Sequence, residues 1–180
     1  MLRHLKPCCL SLLICCLGCM HNAQCEEAAA SGAWIPPGSA LVVEALSLLG
    51  TPYRYSGESP EGGFDCSGLV AYLFKDALGQ TIPHSAAELF HRGVAVQRAD
   101  LQAGDLVFFN LHGSRAGVSH VALYIGNDQF VHAPTTGAMV RIEQLSSAYW
   151  QHAYRGGRRL FRENLALQLP QLAAGADQLQ

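Results

Sequence analysis

The sequence predicts an α+β fold, with N-terminal helices packed on a mostly antiparallel sheet of about five strands. Three observations carry this. Apolar residues recur at helical spacing over the first part of the folded region. From Gly104 onward the pattern shortens to strand length and returns on itself through tight turns, a meander that follows the helices rather than alternating with them. Glycine is frequent, at 18 of 180 residues, which suits a loop-rich α+β enzyme better than a helical bundle.

Residues 1–18 read as a signal peptide of lipoprotein type. Arg3 and Lys6 give a positive start, and Cys8 to Gly18 form an apolar run too short to span a bilayer. Leu17-Gly18-Cys19 resembles a lipobox, which makes Cys19 the lipidated first residue of the mature chain, although Cys16 stands where that pattern usually has leucine. The competing reading is ordinary cleavage near Ala28-Ala29-Ala30, which would leave a soluble periplasmic or secreted protein. Met20 rather than aspartate follows Cys19 and, by resemblance to sorted lipoproteins, places the protein at the outer membrane facing the periplasm, held by its lipid anchor.

Residues 19–38 form a linker closed by Pro36-Pro37, and residues 39–162 the folded domain. Ser39 is the expected cap of a helix through Leu41, Val42, Ala45, Leu46 and Leu49, ended by Gly50. Asp65 caps a second helix, apolar at Leu69, Val70, Leu73, Phe74 and Ala77 and stopped by Gly79. Ser85 and Glu88 form a capping-box pattern for a short helix ending at Gly93. Strands are expected at Leu106–Phe109, His120–Ile125, Phe130–Ala133, Met139–Ile142 and Arg155–Phe161, with a short helix around Tyr149 and Trp150. Residues 163–180 read as a frayed polar tail.

Charged residues make up 14% and the net charge is −2, so no basic field for nucleic acid exists. Six of the seven cysteines lie within the first 25 residues, which leaves Cys66 alone in the folded body. An exported domain usually pairs its cysteines, and a free thiol there is open to oxidation, so its presence asks for a use. Cys66 falls in the first turn of the Asp65-capped helix, where backbone N–H groups and the helix dipole favour an anion and lower a thiol pKa. Gly63 and Gly68 leave room for other groups to approach the sulfur.

Several segments, taken together, resemble the NlpC family of bacterial cell-wall cysteine peptidases. They are Gly50-Thr51-Pro52-Tyr53, Phe64-Asp65-Cys66-Ser67-Gly68-Leu69-Val70, Gly104-Asp105-Leu106-Val107-Phe108-Phe109, His120-Val121-Ala122-Leu123-Tyr124-Ile125-Gly126 and Phe130-Val131-His132-Ala133, in order across about residues 40 to 160. The resemblance implies a compact papain-like fold and a cysteine endopeptidase. It would cut peptidoglycan stem peptides or cross-links, between D-glutamate and diaminopimelate or between diaminopimelate and D-alanine. It needs no cofactor and no metal, and a monomer is expected. It implies a catalytic trio of Cys66 as nucleophile, His120 as base and His132 as the group that orients the base. It gives Tyr53 to the oxyanion, and Asp65 and Ser67 to the charged amine of a stem peptide. The chain departs from the family where proline-arginine is usual and Pro83-His84 stands here, where two glycines are usual and Ser56-Gly57 stands here, and in one extra residue within Glu58 to Gly63. These positions line the approach to the trio.

Other residues are read plainly. His21, His84, His91, His112 and His152 are ordinary histidines, with His84 and His112 near the cleft. Arg155, Arg158, Arg159 and Arg162 read as a solvated strand edge, with contact to substrate carboxylates or phosphate head groups as the alternative. The competing functions are a non-catalytic cell-wall-binding lipoprotein and a metal-binding one, the latter because one Cys and two His can ligate zinc or copper.

The two histidines also predict a geometry. Both are expected on the face that covers Cys66, with Val121, Leu123 and Ile125 filling the other face. A plain two-residue turn at Asn127-Asp128 would put them on opposite faces, because side chains alternate along a strand. The sequence therefore predicts a three-residue loop within Gly126 to Gln129, or a bulge there of the same effect, with His132 across from Tyr124.

Overall fold

The computed structural model describes residues 34–161, apart from 112 and 114–116. The signal segment, Cys19 and its lipidation, Cys25, the linker up to residue 33, His21, His112, Arg162 and the tail 163–180 lie outside the described residues. The folded unit begins at Ile35.

Helix α1 spans Pro37–Ser47 and buries Leu41 and Ala45. Ser39 does not cap it; Pro36 holds the cap position with no side-chain hydrogen bond, and Pro37 opens the first turn. Proline suits that place because its φ is already helical and the N–H it lacks would have no partner there. A two-stranded ribbon, β1 (Glu58–Ser59) and β2 (Gly63–Phe64), leads into helix α2, Cys66–Leu78. Asp65 caps α2 as expected, accepting from the Gly68 N–H at 2.7 Å, and Gly79 closes it with φ 64°. Helix α3 is the short Ala86–Leu89, where the Ser85 hydroxyl accepts from the Glu88 N–H at 3.3 Å.

Six strands follow rather than about five: β3 (Val94–Val96), β4 (Leu106–Phe109), β5 (His120–Gly126), β6 (Gln129–His132), β7 (Arg141–Gln144) and β8 (Tyr154–Arg159). The helix α4, Ala148–Ala153, precedes β8. Every neighbouring pair is antiparallel in the order β3-β8-β4-β5-β6-β7. The extra strand, β3, is a three-residue edge with Val94 exposed, too short to show a period of two. Strand β7 begins two residues later than its apolar run implied, since Met139 makes only an isolated bridge to Pro52.

The sheet has two apolar faces. Leu106, Phe108, Val121, Leu123 and Val131 join Leu69, Val70, Leu73 and Phe74 of α2 in one core. Val107, Phe109, Ala122 and Phe130 join Leu145, Trp150 and Ala153 in a second. His120 pairs with Phe109 across β4 and β5, and its ring lies against Phe109 and Trp150, so it belongs to the second face. This reverses the expected assignment of faces. Val121 and Leu123 cover the body of α2, while both imidazoles point to the Trp150 side. The first turn of α2, which carries Cys66, shares a cavity with His120 at the start of β5 and His132 at the end of β6.

The hairpin between β5 and β6 has the needed bulge, but not at the expected place. Asn127 and Asp128 form a plain two-residue turn, with φ 51° and 60° and Gly126 across from Gln129. Positive φ at both central residues matches the right-handed twist of the strands. The register then shifts between Tyr124 and Gly126, inside β5, so that Tyr124 pairs with Phe130 and Leu123 with Val131. Carried on, this register brings His132 across from Ala122 rather than Tyr124. Ala122 shares a face with His120, and the two imidazoles fall on one side.

The arginine run of β8 is not a solvated edge, because β8 lies between β3 and β4. Arg159 makes a bidentate pair with the fully buried Asp105, at 2.7 and 2.8 Å. Arg158 donates to the Phe90 carbonyl and stacks on its ring, and Arg155 donates to the carbonyls of His152 and Tyr154. These three arginines tie the sheet to its flanking segments.

Candidate active site

Cys66, His120 and His132 line one cavity of about 500 Å³, together with Tyr53, Ser119, Thr135, Arg141 and Trp150. Three elements build it: the first turn of α2 brings the thiol, the start of β5 brings His120, and the end of β6 brings His132.

At the helix start, one oxygen of Asp65 gathers three donors: the Gly68 N–H at 2.7 Å, the His84 ring N–H at 2.9 Å and the Ser67 hydroxyl at 3.0 Å. Burial pushes the Asp65 carboxyl up, but Gly68, His84 and Ser67 outweigh it and hold it below its ordinary range. Gly68 is required sterically: a Cβ there would stand 2.0 Å from the Gly57 carbonyl oxygen and 2.8 Å from His84 Nε2. His84 also faces Glu58, at 3.6 Å.

The thiol does not behave as its helix position alone suggests. Burial raises the Cys66 pKa above its ordinary value and the nearby Asp65 charge adds to this; the N–H groups of Val121, Ser67 and Cys66 itself pull it down without prevailing. Thiolate therefore has to come from proton transfer to a base rather than from the helix dipole.

His120 is the candidate base in the same cavity. It is 3% exposed, His132 is fully buried, and His120 Nε2 lies 2.9 Å from His132 Nδ1. The rings are perpendicular, at 88°. Trp150 fixes both, lying nearly parallel to His120 at 6.1 Å between centroids and edge-on to His132 at 5.1 Å. Burial first, then the charges of His120 and Arg141, lower the His132 pKa from 6.5 to about 2, so His132 is neutral at any working pH. A neutral His132 whose Nδ1 accepts carries its proton on Nε2, a buried atom with no hydrogen-bond partner among the described residues. In that arrangement His120 donates from Nε2 and presents a bare Nδ1, the nitrogen a base needs. Tyr53 is anchored by its backbone N–H to the Ala138 carbonyl at 2.8 Å. Burial, then the charges of Cys66, Asp65 and Tyr55, raise its pKa, which keeps the phenol protonated as a donor.

The structure thus brings together Cys66, His120, His132 and Tyr53, and sets Asp65 and Ser67 at the flank. Trp150 and Arg141 also belong to this site. Trp150 was expected only as part of a helix and Arg141 only as part of a strand; counting the register from His132 through the next turn would have placed Arg141 beside it. His84 is more than an ordinary histidine, since it bonds Asp65. A larger cavity of about 630 Å³ is lined by Tyr72, Lys75, Asp76, Ile82, Glu58 and His84, and the last of these bonds Asp65 beside Cys66. Among the described residues no group of three His, Cys, Asp or Glu is placed to hold a metal ion, and no helix is long and apolar enough to cross a membrane.

The His132 shift has a consequence for stability. Unfolded, this histidine takes up a proton below about 6.5; folded, it resists protonation down to about 2. Its contribution is fully present above pH 6.5 and is lost as pH falls through that window, by up to about 1.4 kcal/mol per pH unit. Denaturant melts from pH 7 to 4 should show a steeper acid loss for wild type than for His132→Gln. Parallel curves would contradict the buried neutral state.

A family model described as the NlpC/P60 family matches residues 50–159. The murein DD-endopeptidase MepH of Escherichia coli is 46% identical over 117 residues, covering 64% of this chain and 43% of that protein. A gamma-DL-glutamyl hydrolase of Bacillus subtilis is 36% identical over 163 residues, covering 89% of this chain and 38% of that protein. The chain thus spans less than half the length of either relative. Among solved structures, an NlpC/P60 family protein of Bacillus cereus aligns with a TM-score of 0.65 at 36% identity, covering 69% of this chain and 40% of that one.

Proposed function

Because the chain belongs to the NlpC/P60 family, we propose that it is a cysteine endopeptidase acting on the stem peptides or cross-links of peptidoglycan. The observation that carries this is the shared cleft of Cys66, His120 and His132, with the two imidazoles bonded at 2.9 Å. The scissile bond is D-glutamyl-diaminopimelate or diaminopimelate-D-alanine; one relative is named a murein DD-endopeptidase and another a gamma-DL-glutamyl hydrolase.

The Cys66 thiol gives its proton to His120 Nδ1, and the sulfur attacks the amide carbon. The negative charge that forms on the carbonyl oxygen is met by the Cys66 backbone N–H and the Tyr53 hydroxyl. The carbon–nitrogen bond breaks as His120 returns the proton to the leaving amine, which leaves a thioester. Water then attacks that carbon, His120 takes its proton, and the acid departs as the thiol is restored. His132 holds the His120 tautomer throughout. Asp65 and Ser67 face the charged amine of the acyl half.

The test is mass analysis of muropeptides before and after digestion by the purified chain. New termini at one of the two bonds are expected, and unchanged muropeptides would refute the reading. Lipid on Cys19, and with it an outer-membrane site facing the periplasm, belongs to the same proposal. Wild type should partition into detergent and Cys19→Ala should be released soluble into the periplasm. A wild-type chain already soluble would favour cleavage near Ala30.

A further inference from the structure

We infer that Arg141 reads a carboxylate on the leaving-group half of the substrate, the one carried by the residue whose amine departs. This rests on the peptidase reading above and adds to it a determinant of specificity. Arg141 sits across from His132 in the β6–β7 register and lines the catalytic cavity with Cys66 and His120. It is the only Lys or Arg among the described lining residues.

The side chain is placed to present its fork. Nε donates to Glu143 Oε1 at 2.8 Å, and the side chain is half exposed, at 52%. That bond fixes the plane of the guanidinium, and no described residue accepts from its terminal nitrogens. An exposed pair of this kind contributes little to stability, so folding alone gives small reason for a cation on the cleft wall. A guanidinium on a cavity wall, with no described residue accepting from its terminal nitrogens, can meet a carboxylate in bidentate geometry.

Which half of the substrate it meets follows from the chemistry. His120 protonates the departing amine, so the leaving half lies on the imidazole side of the thiol. His132 and then Arg141 continue that wall. Asp65, whose carboxylate suits an ammonium, stands beside Cys66 at the start of α2 and accepts from the Ser67 hydroxyl. In this reading an anion stands beside the acyl half and a cation beside the leaving half. A peptide bearing a carboxylate next to its departing nitrogen is oriented by both.

The experiment uses two synthetic muropeptides identical except that this carboxylate is free in one and a carboxamide in the other. Values of kcat/KM are measured for the full chain and for Arg141→Gln and Arg141→Lys. Wild type should favour the free acid about tenfold, as expected for one partly solvated charge-assisted contact. Arg141→Gln should bring the ratio close to one, and Arg141→Lys should keep part of it. Loss of the Arg141 charge beside His132 acts on both peptides alike, so the ratio isolates the carboxylate. A wild-type ratio near one, or a preference that survives in Arg141→Gln, would overturn the inference while leaving the peptidase intact. Cleavage of neither peptide by wild type would overturn the peptidase reading and this inference with it.

Discussion

Cys66→Ala is expected to reduce muropeptide release by a factor on the order of 10⁴ or more while the fold and its melting temperature stay close to wild type. Cys66 is the free cysteine among the described residues, and no other nucleophile of comparable strength lines the cavity. Ser119 and Thr135 are there, but a hydroxyl is far less acidic than a thiol and His120 cannot hold its proton in the same way. Loss of a half-buried sulfur at a helix start removes few packing contacts, because the core of α2 rests on Leu69, Val70, Leu73 and Phe74. Cys66→Ser should be as inactive, since burial that already raises a thiol would hold a hydroxyl still more firmly protonated. Release by purified Cys66→Ala within a hundredfold of wild type would remove the nucleophile from the mechanism.

The resemblance named the trio, on a lone cysteine after a capping aspartate and two histidines in strand-like runs either side of one turn, and the structure sets all three on one cavity. Parity of side chains along a strand also required an extra residue between those histidines, and the structure contains it. Its position was not legible. Asn127-Asp128 satisfies an ordinary two-residue turn, so the irregularity moved into β5, beside Gly126 with its φ of 92°, a glycine that in the sequence reads as part of the turn. The face of the sheet was read wrongly for a related reason. A helix packs through its body, and the body of α2 needs Val121 and Leu123 beneath it, while Cys66 in its first turn shares a cavity with the imidazoles. The thiol pKa depended on burial at that junction, which no local pattern reports. Trp150 and Arg141 became visible as site residues only when α4 and the β6–β7 register brought them beside His132.

His120→Gln should lower kcat/KM by roughly 10³-fold or more, and His132→Gln by only about 10- to 100-fold. In the proposed mechanism His120 performs two proton transfers, and with the Cys66 pKa raised by burial that mechanism has no other route to thiolate. In the same mechanism His132 moves no proton, since burial keeps it neutral; its Nδ1 accepts from His120 Nε2 and so leaves the lone pair of the base on Nδ1. A glutamine carbonyl at position 132 can accept the same hydrogen bond, which preserves the tautomer at some loss of geometry. His132→Leu fills much of the same volume against Phe130 and Trp150 but accepts nothing. It should therefore fall well below His132→Gln, toward the level of His120→Gln, because an unheld imidazole can turn or adopt the wrong tautomer. Equal activity for His132→Gln and His132→Leu would mean that residue 132 serves packing and not the tautomer. Equal loss for His120→Gln and His132→Gln would mean that the proton is shared between the rings, and the two roles assigned here would have to be merged.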